Sequence, residues 1–261
     1  MSIVVTDLAK RYGAVAAVDG LPFTARSGRV TGFLGPNGSG KTTTLRCLSG
    51  LLAPDSGAAT IGGVPFAALA DPIRQAGVAL DPAAHHPDRT GRDHLRVLAL
   101  AGRLPGSRVQ EVLDLVELGA ADRRAGTYSL GMRQRLHLAA ALLGDPQVVV
   151  LDEPANGLDP SGIRWLRDFL RALAAEGRCV LLSSHQLREV QETVDDVVVV
   201  AAGRAVARGT LDGVLGGGGG VRARTPEPAR LAALLREKGA RVVADGETLR
   251  VEGVSAEDLA R

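Results

Sequence analysis

An α/β fold with a mixed sheet core is what this sequence predicts, and three observations carry the prediction. A glycine-rich loop, Gly35-Pro36-Asn37-Gly38-Ser39-Gly40-Lys41-Thr42, stands between a short apolar strand pattern and a helical one. Val148-Val149-Val150-Leu151 is a continuous apolar run, the mark of a strand buried on both faces of a parallel sheet. From Ser161 to Ala201, helical and apolar strand patterns alternate.

Taken in order, Ile3-Val4-Val5, Leu21-Pro22-Phe23-Thr24 and Val30 to Leu34 read as short β segments, with turns at Gly13, Gly20 and Gly28. Thr43 to Leu48 reads as the opening of a helix that ends near Gly50, and Ala58 to Ile61 and Ala76 to Leu80 as further strands. The character then turns helical. Within a segment of about 90–143, Asp93 to Arg103, Ser107 to Leu118 and Arg133 to Leu143 place apolar residues at helical spacing. Ser107 with Glu111 nearby is a candidate cap, short of a strict capping box. After the 148–151 strand come helix Ser161 to Glu176, strand Cys179 to Ser183, helix Gln186 to Thr193 and strand Val197 to Ala201. The first domain is thus expected over 1–215. Five glycines at 216–220 read as a flexible linker. Residues 221–261 suggest a small α+β appendage of β-α-β-β order: Val221 to Arg224, Ala229 to Lys238, Arg241 to Ala244, an Asp245-Gly246 hairpin turn, then Thr248 to Glu252. So short a piece buries too little surface alone, and it is expected to pack on the main body or a second copy.

Bulk properties narrow the classes. Apolar residues at 45% and charged residues at 23% are those of a soluble globular protein. Aromatics at 3% leave the core to Ala, Val and Leu. A formal charge of +2 argues against a dedicated nucleic-acid binder. Cys47 and Cys179 lack the spacing of a metal site or disulfide framework, which suits a reducing cytosol. Met1 to Asp7 reads as neither a signal peptide nor a transit sequence. No apolar run exceeds strand size, Val197 to Ala202 being typical, so any membrane role is expected to come through a partner.

The chemistry begins at the 35–42 loop. Its glycines let backbone N–H groups turn inward at a helix N-terminus, where they meet phosphate oxygens with fixed partial positive charge. Lys41 can reach β- and γ-phosphates, and the Thr42 hydroxyl can ligate Mg²⁺. A plain turn is the competing reading in a chain with 33 glycines, but lysine usage decides against it. Lysine occurs only at Lys10, Lys41 and Lys238, and arginine supplies nearly all other positive charge. A compact ammonium at this spacing points to a place where a guanidinium does not fit.

Downstream, the apolar strand ends in Asp152-Glu153, two carboxylates at the edge of the sheet where phosphate loops also sit. Asp152 is suited to hold Mg²⁺ through water, and Glu153 to orient or deprotonate an attacking water; acidic residues that merely end a strand are the alternative. His185, just past a second strand end, can donate to a γ-phosphate, or serve only as a cap. His85, His86 and His94 lack a matching ligand cluster, and His137 lies within a helix. Ser129-Leu130-Gly131-Met132-Arg133-Gln134 precedes a helix, so the Ser129 hydroxyl and Gly131 amide form either a second anion-binding end or an ordinary N-cap.

The order of phosphate loop, helical insertion, Ser-x-Gly segment, Asp-Glu strand end and histidine resembles the ATP-binding subunit of an ABC transporter, over about residues 2–215. The resemblance implies a P-loop NTPase of ABC cassette type, with an N-terminal antiparallel β segment beside the sheet core. It also implies ATP and Mg²⁺ as ligands. Tyr12 matches the aromatic that stacks on adenine. Residues 35–42, with Thr43 following, match the Walker A loop, and 148–153 the Walker B strand with catalytic Glu153. Ala155-Asn156-Gly157-Leu158-Asp159 resembles the D-loop, and His185 the switch histidine. Ser129 and Gly131 fall on the signature motif, which in this family touches the γ-phosphate held by the opposite subunit. Tyr128-Ser129-Leu130-Gly131-Met132 departs from the usual Leu-Ser-Gly-Gly-Gln in a manner resembling daunorubicin-type drug-resistance exporters. Asp81 stands where the Q-loop glutamine is expected; it can still touch Mg²⁺ or a water, but the usual coupling there is put in question.

These features lead to the expectation of an ATPase working as a nucleotide-sandwich homodimer, powering an exporter through a separate polytopic permease. The chain itself is expected to be cytoplasmic, peripheral on the inner face of the membrane, without inserting into it. The permease is expected to meet it near Asp81 to Arg96. Two alternatives stay open: a soluble ABC-type ATPase acting on nucleic acid or protein assemblies, and an ATP-dependent scaffold with little turnover.

Overall fold

The computed structural model describes residues 1–80, 85–216 and, of the remainder, 221–224, 229, 232, 233, 235, 241–245 and 248–252. Two compact units divide the chain, Met1–Arg208 and Gly209–Arg261. In chain order the elements are β1 (Ile3–Tyr12), β2 (Val15–Ala25), β3 (Arg29–Leu34), α1 (Lys41–Leu48), β4 (Ser56–Ile61), α2 (Pro72–Gln75) and β5 (Ala76–Ala79). Next come α3 (Gly91–Ala101), α4 (Ser107–Leu115), α5 (Leu130–Leu142), β6 (Val148–Leu151), α6 (Pro160–Ala175) and β7 (Cys179–Ser184). Then follow α7 (Leu187–Val190), β8 (Asp196–Ala201), β9 (Arg204–Thr210), α8 (Leu211–Gly216), β10 (Val221–Arg224), β11 (Arg241–Asp245) and β12 (Thr248–Glu252).

The central sheet has the order β5-β6-β7-β3-β8-β9. Its strands from β5 to β8 are parallel, and β6 and β7 are buried along their whole length, as continuous apolar strands between layers must be. β9 closes the edge through a two-residue turn at Ala202 (φ 48°) and Gly203 (φ 77°), the left-handed pair that matches strand twist in a tight hairpin. The sequence reading did not include β9. Its alternation of arginine with small residues on a largely exposed edge has no apolar run to announce it.

β1 pairs with β2 and β4 in a separate antiparallel sheet, so the 58–61 strand joins this layer. Both partners run further than the apolar triplets predict. Register shifts break the two-residue alternation: Asp7 takes φ 45°, and its carbonyl lies where a Cβ on Gly57 would come within 2.2 Å. The core closes between the two sheets and α1, where Phe23 stacks on Phe33 at 5.1 Å among Ile3, Leu21, Leu45 and Leu181.

Helix starts follow their caps. Thr90 accepts from the Asp93 N–H at 3.0 Å and opens α3. Ser129 accepts from the Met132 N–H at 3.3 Å, which starts α5 at Leu130, ahead of the expected Arg133. Ser107 is not a cap, contrary to expectation: α4 opens on Gly106 without a side-chain bond, and Glu111 pairs instead with Arg108 at 2.6 Å.

In the second unit, β10, β12 and β11 form an antiparallel sheet in that order, and positions 229, 232, 233 and 235 are helical. Gly217 to Gly220 of the glycine run, and Gly246 of the expected turn, lie outside the described residues.

Both cysteines are buried, and burial pushes the Cys179 thiol up to about 11 and raises that of Cys47. Neither thiol is expected to react with an aromatic disulfide reagent in the native state at about pH 8, and both to react once denaturant unfolds the chain. Rapid native-state release of the chromophore contradicts this packing.

Candidate active site

The loop between β3 and α1 is shaped by close backbone approach. A Cβ on Gly35 would sit 2.2 Å from the Val200 carbonyl, and one on Gly40, at φ 102°, 2.2 Å from the Ala17 carbonyl. Ser39 N–H donates to Pro36 O at 3.2 Å, and Ser39 O accepts from Gly203 N–H at 3.0 Å, which ties the loop to the β8–β9 turn. Pro36, Asn37 and Gly38 crest into solvent, whereas Ser39, Gly40 and Lys41 are buried. Helix α1 opens with no side-chain cap, so its first N–H groups stay available to an anion.

Lys41 is only 6% exposed, and its ammonium donates to Gly35 O at 2.7 Å and Pro36 O at 3.3 Å. It also lies 3.3 Å from Glu153 Oε1. The second carboxylate oxygen, Oε2, meets His185 Nδ1 at 2.9 Å, while His185 Nε2 is 3.0 Å from the Gln186 amide nitrogen. A carboxylate only accepts, so in the neutral ring the proton sits on Nδ1 and Nε2 accepts from Gln186. Thr42 donates to Asp152 Oδ2 at 2.8 Å. Ser183 donates to Asp152 Oδ1 and accepts from the Glu153 N–H at 2.9 Å. Five of the residues singled out in the sequence, Lys41, Thr42, Asp152, Glu153 and His185, therefore meet at one sheet edge. Ser183 and Gln186 complete the group, and sequence reasoning gave neither a role. The available signal was a pair of hydroxyl residues ending an otherwise apolar strand next to the histidine.

Ser129, Gly131 and Asp159 gather elsewhere, along a cleft of about 590 Å³ that reaches Asp152. The loop residues 35–43 are not among the residues that line it. A Cβ on Gly157 would come within 2.1 Å of Leu130 Cδ2, so the two segments are in direct contact. Asp159 caps α6, accepting from the Gly162 N–H at 2.7 Å and the Ser161 hydroxyl at 2.8 Å, and these bonds hold its carboxyl below the usual range. Arg135 of α5 lies 3.8 Å over the ring of Trp165 on α6. Tyr12 ends β1 with half its surface exposed. Asp81 lies outside the described residues.

Residues 18–156 match the family described as ABC transporter, and residues 219–261 match a domain of unknown function (DUF8746). The chain is 36% identical to Nod factor export ATP-binding protein I of Burkholderia lata, over 92% of this chain and 82% of that one. It is 40% identical to daunorubicin resistance ATP-binding protein DrrA2 of Streptomyces coeruleorubidus, over 91% and 76%. The dimeric structure of MJ0796, a bacterial ABC transporter cassette, shares the fold with TM-score 0.73 at 21% identity, over 80% of this chain and 98% of that one.

The loop geometry separates two glycines by experiment. A Cβ on Gly38 (φ 78°) meets nothing within 4 Å. Gly38→Ala is expected to cost only the left-handed backbone penalty, about 1–2 kcal/mol. Gly40→Ala adds the clash with Ala17 and is expected to lower the urea midpoint further; equal midpoints contradict the close approach.

Proposed function

We propose that this chain, which belongs to the ABC transporter family, binds ATP with Mg²⁺ at the 35–43 loop, hydrolyses it between two copies, and drives export through a separate membrane subunit. One observation carries the reading: the loop lysine and threonine are bonded directly to the acidic pair that ends β6, with the histidine on the same carboxylate. Phosphate oxygens then take the place of the Gly35 and Pro36 carbonyls on Lys41 and accept from the open N–H groups of α1. The residues from Gly35 to Thr43 wrap the triphosphate, and Tyr12 offers its exposed ring to the adenine.

Thr42 and Asp152 fit Mg²⁺. They are hard oxygen donors from two elements, few enough that phosphate and water fill the remaining positions. Asp81 is a further candidate for that shell. When bound, Mg²⁺ offsets charge on the phosphates. Glu153 orients and deprotonates the attacking water. His185 steadies Glu153 through Nδ1–H, and it becomes a donor to the γ-phosphate once that N–H turns from the carboxylate to the phosphate. Ser129, Gly131 and Asp159 serve the nucleotide held by a second copy, which accords with their separation from the 35–43 loop within one chain.

Export as the use of this ATPase draws on the two relatives named for export and drug resistance. No helix among the described residues is long and apolar enough to cross a membrane. A distinct polytopic subunit is therefore assigned that task, with this chain peripheral on the cytoplasmic face.

Steady-state hydrolysis of Mg-ATP by the purified chain, alone and with its membrane partner, tests the reading. Glu153→Gln is expected to lower turnover by about 10²–10⁴-fold while nucleotide titration stays as in the wild type. Lys41→Ala is expected to lose nucleotide binding itself. Unchanged turnover in Glu153→Gln removes that carboxylate from the chemistry.

A further inference from the structure

We infer that Ser183 is a positioning residue for hydrolysis, its single hydroxyl fixing the Asp152 carboxylate and the Glu153 backbone together. The inference rests on the functional reading above and deepens it. Ser183 is fully buried at the end of β7. Leu151 pairs with Leu182 across the β6–β7 ladder, so Ser183 is one step past the last paired residue, level with Asp152. From there its O–H donates to Asp152 Oδ1, and its oxygen accepts from the Glu153 N–H at 2.9 Å.

Both bonds act on groups that have little freedom left. Asp152 Oδ2 is taken by Thr42, so a bond at Oδ1 fixes the plane of the carboxylate. Glu153 has φ 49°, a left-handed conformation that a residue with a side chain adopts only when its surroundings enforce it. The N–H bond to Ser183 holds that conformation from one side, and on the other the Glu153 carbonyl accepts from Asn156 N–H at 3.1 Å. The carboxylate is thereby aimed at Lys41 and His185. Ser184 cannot substitute. Its hydroxyl is used on the Gln186 backbone, and its carbonyl accepts from Gly35 N–H.

A valine and a threonine at 183 add equal bulk and differ only in the hydroxyl, so the pair isolates the bond from packing. Ser183→Val is expected to lower kcat by about 10–100-fold and to weaken Mn²⁺ binding, titrated by electron paramagnetic resonance in the presence of ADP, by about 10-fold. Its KM for ATP is expected to stay within about 2-fold of the wild type, because Lys41 and the loop amides are untouched. Ser183→Thr is expected to restore both kcat and Mn²⁺ affinity. Equal loss in the two variants, or wild-type kcat and Mn²⁺ affinity in Ser183→Val, overturns the role of Ser183. Wild-type chain that hydrolyses no ATP overturns the parent reading instead, so the two failures are distinguishable.

Discussion

The register of three parallel strands is the constraint on which the site depends. Leu34 of β3 stands opposite Ser184 of β7, and Leu182 of β7 opposite Leu151 of β6. Because these ladders end nearly level, the phosphate loop, the acidic pair and the serine–histidine turn all leave the sheet at one edge, the place where open α/β sheets hold ligands. Val, Leu, Cys and Phe make up most of these strands, as burial on both faces requires, with Thr31 and Gly32 the exceptions inside β3. The charged side chains and Ser183 gather at or just beyond the last ladder pairs.

At that edge the electrostatic problem is a buried ammonium. An unpaired charge at this depth is costly, and Lys41 is matched by two loop carbonyls and Glu153. Glu153 is in turn divided between Lys41 and His185. In the proposed function this makes readiness depend on occupancy. A triphosphate that claims Lys41 releases one oxygen of Glu153, so the base becomes available only where there is substrate to attack. The arrangement needs no large motion, only an exchange of acceptors around one nitrogen.

The parts legible in the sequence were those whose signal is local. The loop stood out through Lys41 in an arginine-using chain, and β6 and β7 were evident as apolar runs. The longer helices of the first domain were located but for their ends, because a cap such as Ser129 starts α5 before any apolar periodicity begins. The short α2 and α8, the latter taking in Gly216 of the expected linker, were not read as helices. What was not legible depends on partners distant in sequence. The bulge at Asp7 needs Gly57 opposite it, β9 needs β8 as its template, and Ser183 matters through Asp152 and Glu153 about thirty residues away. Of the candidate site, the charged groups could be named in advance, and the hydroxyl that joins them could not.

The second cluster follows a different logic, one of shape. Leu130 Cδ2 rests where a Cβ on Gly157 would lie, which brings the segment that opens α5 against the loop that precedes α6. Arg135 over Trp165 joins the same two helices further along. Asp159 spends both carboxylate oxygens on its own helix. Its contribution to any partner is therefore made through the loop it shapes, whose backbone it fixes at the start of α6. A second copy meeting this surface meets Ser129, Gly131 and the 155–159 loop as one braced unit. In the proposed dimer, closure on one nucleotide would consequently be felt at Asp152, which borders the same cleft and holds Thr42 of the other site.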